Sequence, residues 1–255
     1  MGLSLPSSVP HAWHVSYSHR ELGGRTMKII TFLLACLLAV ASFSSSAGGV
    51  SDDPLLMYFK ADKLEWRDSD EGDLLVWELD AWIGKDLNKL WIKSRGEHLD
   101  SDTERSEIDV LYSRAISPFW DLQMGLRHEF RPKPTQDWLG FGFKGIAPYL
   151  FEVDTNIFVN DDSQINARLE IEYEYMLSQK LVLVPNLELS IYSDNDNDRE
   201  IASGLSLAEL GLRLHYEIKR DFSPYIGINF EKKFGNSEVE ESSESQLVLG
   251  LSFWL

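Results

Sequence analysis

The C-terminal stretch 246–255 reads QLVLGLSFWL. Leu247, Leu249, Leu251, Phe253 and Leu255 fall on one face, and Val248, Gly250, Ser252 and Trp254 on the other. A nearly continuous apolar face carried to the last residue is what the closing strand of an outer-membrane β-barrel requires. The constraint is severe, because only helices and closed barrels can satisfy every backbone N–H and C=O inside lipid.

The same two-residue period recurs along the chain. In 164–177, Ile165, Ala167, Leu169, Ile171, Tyr173 and Tyr175 share one face, while Asn166, Arg168, Glu170, Glu172, Glu174 and Met176 share the other. Residues 119–131 repeat it, with Trp120, Leu122, Met124, Leu126 and Phe130 set against Asp121, Gln123, Arg127, Glu129 and Arg131. A helix would scatter these residues, whereas a strand separates them. Strands are predicted at 58–66, 74–84, 89–97, 106–116, 119–131, 138–147, 149–160, 164–177, 181–193, 205–219, 225–235 and 246–255. The fold class read from this pattern is all-β, a closed antiparallel transmembrane β-barrel of about twelve strands. Short turns (85–88, 117–118, 147–148, 178–180, 220–224) alternate with more polar connections (67–73, 98–105, 132–137, 161–163, 193–204, 236–245). Bacterial barrels pair tight periplasmic turns with longer outer loops in this way. Trp120, Tyr149, Tyr225 and Phe119 beside the turns, and Trp138, Phe130, Tyr192 and Phe234 towards the loops, are expected to form two interfacial belts. Periodicity alone leaves open which face points inward; a soluble barrel would hide the apolar one.

The N-terminal region argues for export. Met27 and Lys28 precede an apolar run, Ile29 to Phe43, and Ser45 and Ala47 supply the small residues of a cleavage site. The run is too short for a spanning helix. Leu33-Leu34-Ala35-Cys36 loosely fits a lipoprotein signal, but the apolar run continues past Cys36. The organisation read from the sequence is therefore a non-native upstream extension at 1–26, a signal peptide at 27–47, a short periplasmic segment at 48–57 and a barrel at 58–255. Residues 48–255 hold no cysteine, so neither a disulfide nor a thiolate metal site is expected there. They carry 21 basic and 40 acidic side chains, a formal charge of −19, which repels nucleic acid and favours cations.

Longer motifs point to one family. Ala81-Trp82-Ile83-Gly84, DLNKLWIKSRGE (86–97), LYSRAISPFWDLQMGLRHEFRP (111–132), GIAPYLFEVDTNIFV (145–159), residues 169–180 with 183–189, and 204–235 including HYEIKRDFSPYIGINFEKKFG are similar to the bacterial copper resistance protein B family of outer-membrane proteins. The likeness spans 60–255. It implies copper handling at the outer membrane of a Gram-negative bacterium, by sequestration or passage, in support of copper resistance. Copper ions, outer-membrane lipid and lipopolysaccharide, and a periplasmic copper protein are the partners it implies. One departure stands out. Family members often carry a Met- and His-rich segment before the barrel, suited to copper. Here 48–57 offers only Met57, which speaks against high-capacity sequestration.

If the apolar faces meet lipid, Glu78, Asp80, Lys93, Arg95, Asp109, Asp121, Arg127, Glu129, Glu152, Asp154, Arg168, Glu170, Glu172, Glu174, Glu188, Arg213, Glu217 and Lys219 point into the lumen. They could pair and fill the barrel or line a wet cation pathway; the narrowness of a twelve-stranded barrel favours pairing. Donors suited to copper are few in 48–255: His98, His128 and His215, and Met57, Met124 and Met176. Parity turns His98 and His128 to the apolar face. His215 and Met176 share the lumen face near the periplasmic end, so the expected copper site is His215 with Met176, assisted by Glu217 and Glu174. The acidic run Ser193 to Asp198 lacks the Gly and Glu that a calcium loop places at its sixth and twelfth positions and reads as a solvated outer loop. No GxSxG occurs and no His lies in a nucleophile motif, so no enzymatic activity is expected. The alternative to copper handling is a narrow passive channel for another small solute or cation.

Overall fold

A computed structural model describes residues 54–70, 72–99, 102–236 and 241–255. The extension, the signal and most of the 48–57 segment lie outside the described residues. Twelve antiparallel strands follow in chain order: β1 (Leu56–Ser69), β2 (Gly72–Gly84), β3 (Asn88–Leu99), β4 (Asp102–Ser117), β5 (Trp120–Arg131), β6 (Gln136–Ala147), β7 (Phe151–Asn160), β8 (Ile165–Glu172, resumed at Tyr175–Met176), β9 (Leu181–Tyr192), β10 (Gly204–Tyr216), β11 (Phe222–Lys233) and β12 (Ser242–Trp254). Each pairs with its sequence neighbours. β12 returns to β1, with Trp66 opposite Leu249 and Arg67 opposite Val248, and this pairing closes the barrel. The first and last strands thus meet at one end, here called the terminal end; the opposite end is the loop end.

Burial resolves which face points inward. Leu247, Leu126 and Leu139 expose more than 60 % of their surface, while Gln123, Arg127 and Lys93 are at or below 1 %. Apolar side chains outside and charged ones inside is the reverse of a soluble barrel and is the arrangement lipid demands.

Several expectations need correction. Strands β1 and β4 run 14 and 16 residues, longer than the roughly 9–11 that a tilted strand needs to cross the hydrocarbon. They absorb most of the polar stretches 67–73 and 98–105, leaving connections of only 70–71 and 100–101. Charge at these positions marks strand beyond the apolar band rather than loop. Three residues assigned to the belts turn inward instead: Tyr225, Trp138 and Tyr192 are 3 %, 1 % and 8 % exposed. Trp138 shares its face with Gly140 and Gly142, and the lumen has room for it because those positions carry no side chain. A Cβ at Gly140 would stand 2.6 Å from the ring of Phe158. Phe119, Tyr149 and Phe130 do lie exposed.

Two irregularities shape the terminal end. A bulge in β1 leaves Asp62 without a partner on β2, between Ala61 opposite Leu79 and Lys63 opposite Glu78. It brings Lys60, Asp62 and Lys63 together along the wall of one lumen cavity. In β8 the ladder breaks at Tyr173-Glu174, opposite Val184-Pro185, although the register on either side is unchanged. Pro185 has no N–H to donate, and the remaining bond there runs from Tyr173 N to Pro185 O at 3.1 Å.

Candidate functional site

The lumen is filled by an ion-pair ladder. Near the β12–β1 closure, Arg67 Nε donates to Glu65 at 2.8 Å and Arg67 Nη2 to Glu209 at 3.0 Å. Arg213 and the Tyr225 hydroxyl also donate to Glu65. Across the barrel, Arg127 makes a bidentate pair with Asp109 at 2.7 and 3.0 Å and lies 3.6 Å over the ring of Phe158. Arg168 pairs with Glu107, and Arg95 bridges Glu78 and Glu170, both at 3.0 Å. Lys93 Nζ donates to Asp154 at 2.6 Å. Burial of these groups is compatible with charge because each cation meets at least one carboxylate. The pairing reading of the lumen is thus the one the structure bears out. The sequence-based lumen set omitted Lys63, Glu65, Arg67, Glu107 and Glu209; the strand parity of Glu65, Glu107 and Glu209 would have found them.

The pairing thins at the terminal end. There a vestibule of about 90 Å³ is lined by Asp62, Glu172, Glu174, His215, Glu217 and Trp254, among others. Lys60 pairs with Asp62 at 2.8 Å, but Glu172, Glu174 and Glu217 make no ion pair among the described residues. His215 stacks on Tyr225, ring centroids 4.3 Å apart. The structure therefore brings three of the four expected copper ligands, His215, Glu174 and Glu217, to one cavity.

Met176 is placed differently. Val182 pairs with Met176 on one side and His215 on the other, so the expected two-strand spacing holds. The Met176 side chain nevertheless sits at the rim, 72 % exposed, and does not line the vestibule. It lies on the short segment beyond the β8 break, past the end of β7. Among the described residues, no three His, Cys, Asp or Glu side chains are grouped so as to hold a metal ion. The vestibule is thus a set of donors around a space, without a preassembled coordination sphere. His128 faces outward and contacts Asp137 at 2.6 Å, and His98 contacts Thr103 at 3.1 Å.

At the loop end, the acidic run Ser193 to Asp198 is largely exposed, as a solvated loop requires, while Arg199 and Ala202 just after it turn inward. The connection 193–203 contains a short turn, Asn197–Arg199, and Arg199 is buried at 4 % exposure with its guanidinium on Glu129 of β5.

Comparison with known proteins places this barrel. A family model described as copper resistance protein B precursor matches residues 55–255. The chain is 39 % identical over 217 residues to a copper resistance protein B homolog of Pseudomonas syringae pv. tomato, covering 83 % of this chain and 74 % of that one. It is 36 % identical over 221 residues to copper resistance protein B of Escherichia coli, covering 84 % and 75 %. Among solved structures, the NanC porin superposes with a TM-score of 0.52 at 14 % identity, covering 78 % of this chain and 99 % of the porin, a likeness of fold alone. The twelve-stranded barrel with its charged lumen belongs to the copper resistance protein B family.

Proposed function

We propose that the barrel resides in the outer membrane of a Gram-negative bacterium, terminal end towards the periplasm, and supports copper resistance as a low-capacity copper binder. The observation that carries this reading is the convergence of His215, Glu174 and Glu217 on one vestibule in which Glu172, Glu174 and Glu217 make no ion pair among the described residues. One imidazole and a few carboxylates suit a borderline ion such as copper(II), held through few protein ligands with water completing the sphere. Thioether plays a minor part, because Met176 stands off at the rim. Binding weakens as pH falls, since protons compete for the same imidazole and carboxylates. Capacity stays low, because 48–57 carries a single candidate ligand, Met57. A passive channel for another solute gains less support: Arg67, Lys93 and Arg127, which help fill the lumen, are at most 2 % exposed. The reading includes no enzymatic step.

The test is made in cells. Wild type should fractionate with the outer membrane and raise copper tolerance in a sensitive strain, whereas His215→Ala should reach the same membrane level and lose much of the tolerance. Recovery in the soluble periplasm, or full tolerance with His215→Ala, would overturn the proposal.

A further inference from the structure

The connection between β9 and β10 is longer than closing that gap requires. Two other loop-end connections, 132–135 and 161–164, join strands with four residues each, whereas this one uses residues 193–203. The extra length is spent inward. Ala202 is 2 % exposed, and Ile201 packs on the cluster of Trp138, Phe158 and Tyr192 that caps the ion-pair ladder. Arg199, the single basic residue of the segment, reaches Glu129, which the ladder continues through Arg127 at 3.9 Å. Gln136 Nε2 donates to Asp196 at 3.1 Å, and Gln164 Nε2 to the Asp194 carbonyl at 3.2 Å, so β6 and the 161–164 turn hold the segment from either side.

We propose that residues 193–203 form a lid over the loop end of the lumen, closed by the Arg199–Glu129 ion pair. Two features bear on how firmly the segment is held. Arg199 Nε is buried with no acceptor, so the closed state bears an unmet desolvation cost that water would relieve once the segment lifts. Two further tethers lie at the exposed edge: Asn195 Oδ1 accepts from Ser203 N at 2.7 Å and from Asn236 Nδ2 at 2.8 Å. Lifting the segment would expose Glu129 to the outside as the first carboxylate of the lumen, so a cation entering there takes the place of the guanidinium. This inference does not depend on which ion the vestibule binds.

Limited trypsin digestion of the full-length refolded protein tests it, with heat-modifiable migration as the check of folding. Wild type should resist cleavage after Arg199, and Glu129→Gln should be cut there. Arg199→Lys, which keeps both a cation for Glu129 and a trypsin site, should resist cleavage like wild type. Rapid cleavage of wild type after Arg199 would overturn the lid without recourse to any variant. So would an uncut, folded Glu129→Gln, or a folded Arg199→Lys that is cut as readily as Glu129→Gln.

Discussion

Glu65 shows how much of the lumen can rest on one side chain. It is fully buried and accepts from Arg67, Arg213 and the Tyr225 hydroxyl. Removing it would strand two guanidinium groups of which Arg67 keeps Glu209 and Arg213 keeps Asn186. Glu65→Ala should therefore cost about 3–5 kcal/mol in denaturant unfolding of the reconstituted barrel, the scale expected when one member of a buried pair is deleted. Glu65→Gln, which keeps an acceptor, should cost less; equal losses would mean that the acceptor contributes nothing without the charge. At this scale the sequence was partly legible. Parity placed Glu174, His215, Glu217 and Met176 on the lumen side, and three of them do line the vestibule. What parity could not reveal is depth: Met176 lies on the correct face, yet beyond the end of β7, where the wall on that side stops.

Among the elements, the clearest alternations became strands where they were expected, and the errors cluster at polar ends and at proline. Residues 164–177 do form β8, with Arg168 inside and Ile165 outside, but Pro185 on the neighbouring strand interrupts the ladder. The stretches around Arg67 and Arg105 read as loop because polarity is the usual signature of loops, whereas here it serves a lumen face. The bulge at Asp62 was invisible, since one extra residue in a strand leaves no compositional mark. The assignment of outer and inner faces can be tested by depth. Leu249, 57 % exposed near the middle of β12, should meet hydrocarbon, while Leu87, 60 % exposed in the β2–β3 turn, should lie near the interface. Leu249→Arg should destabilise the barrel in lipid by roughly 2–4 kcal/mol and Leu87→Arg by about 0–1 kcal/mol, a difference that equilibrium unfolding in bilayers would register. Equal costs would mean the apolar face does not contact lipid.

For the molecule as a whole, a formal charge of −17 over the entire chain gave the sign of the partner but not its place. The ladder consumes most of the lumen's charge in internal pairs, and at the terminal end, around His215, Glu172, Glu174 and Glu217 make no ion pair among the described residues. That distribution depends on which strands face one another across the barrel, which a single sequence does not disclose. The account accordingly concentrates copper affinity at one end of an otherwise filled barrel. Copper titration of the full-length refolded protein, with stoichiometry measured on wild type, His215→Ala and Met176→Leu, tests this most directly. Wild type should bind one or two copper ions weakly, on the order of one site for each imidazole available to the lumen. Met176→Leu should match it, and His215→Ala should lose the binding. Copper binding by His215→Ala equal to that of wild type, or none by wild type, would contradict the account.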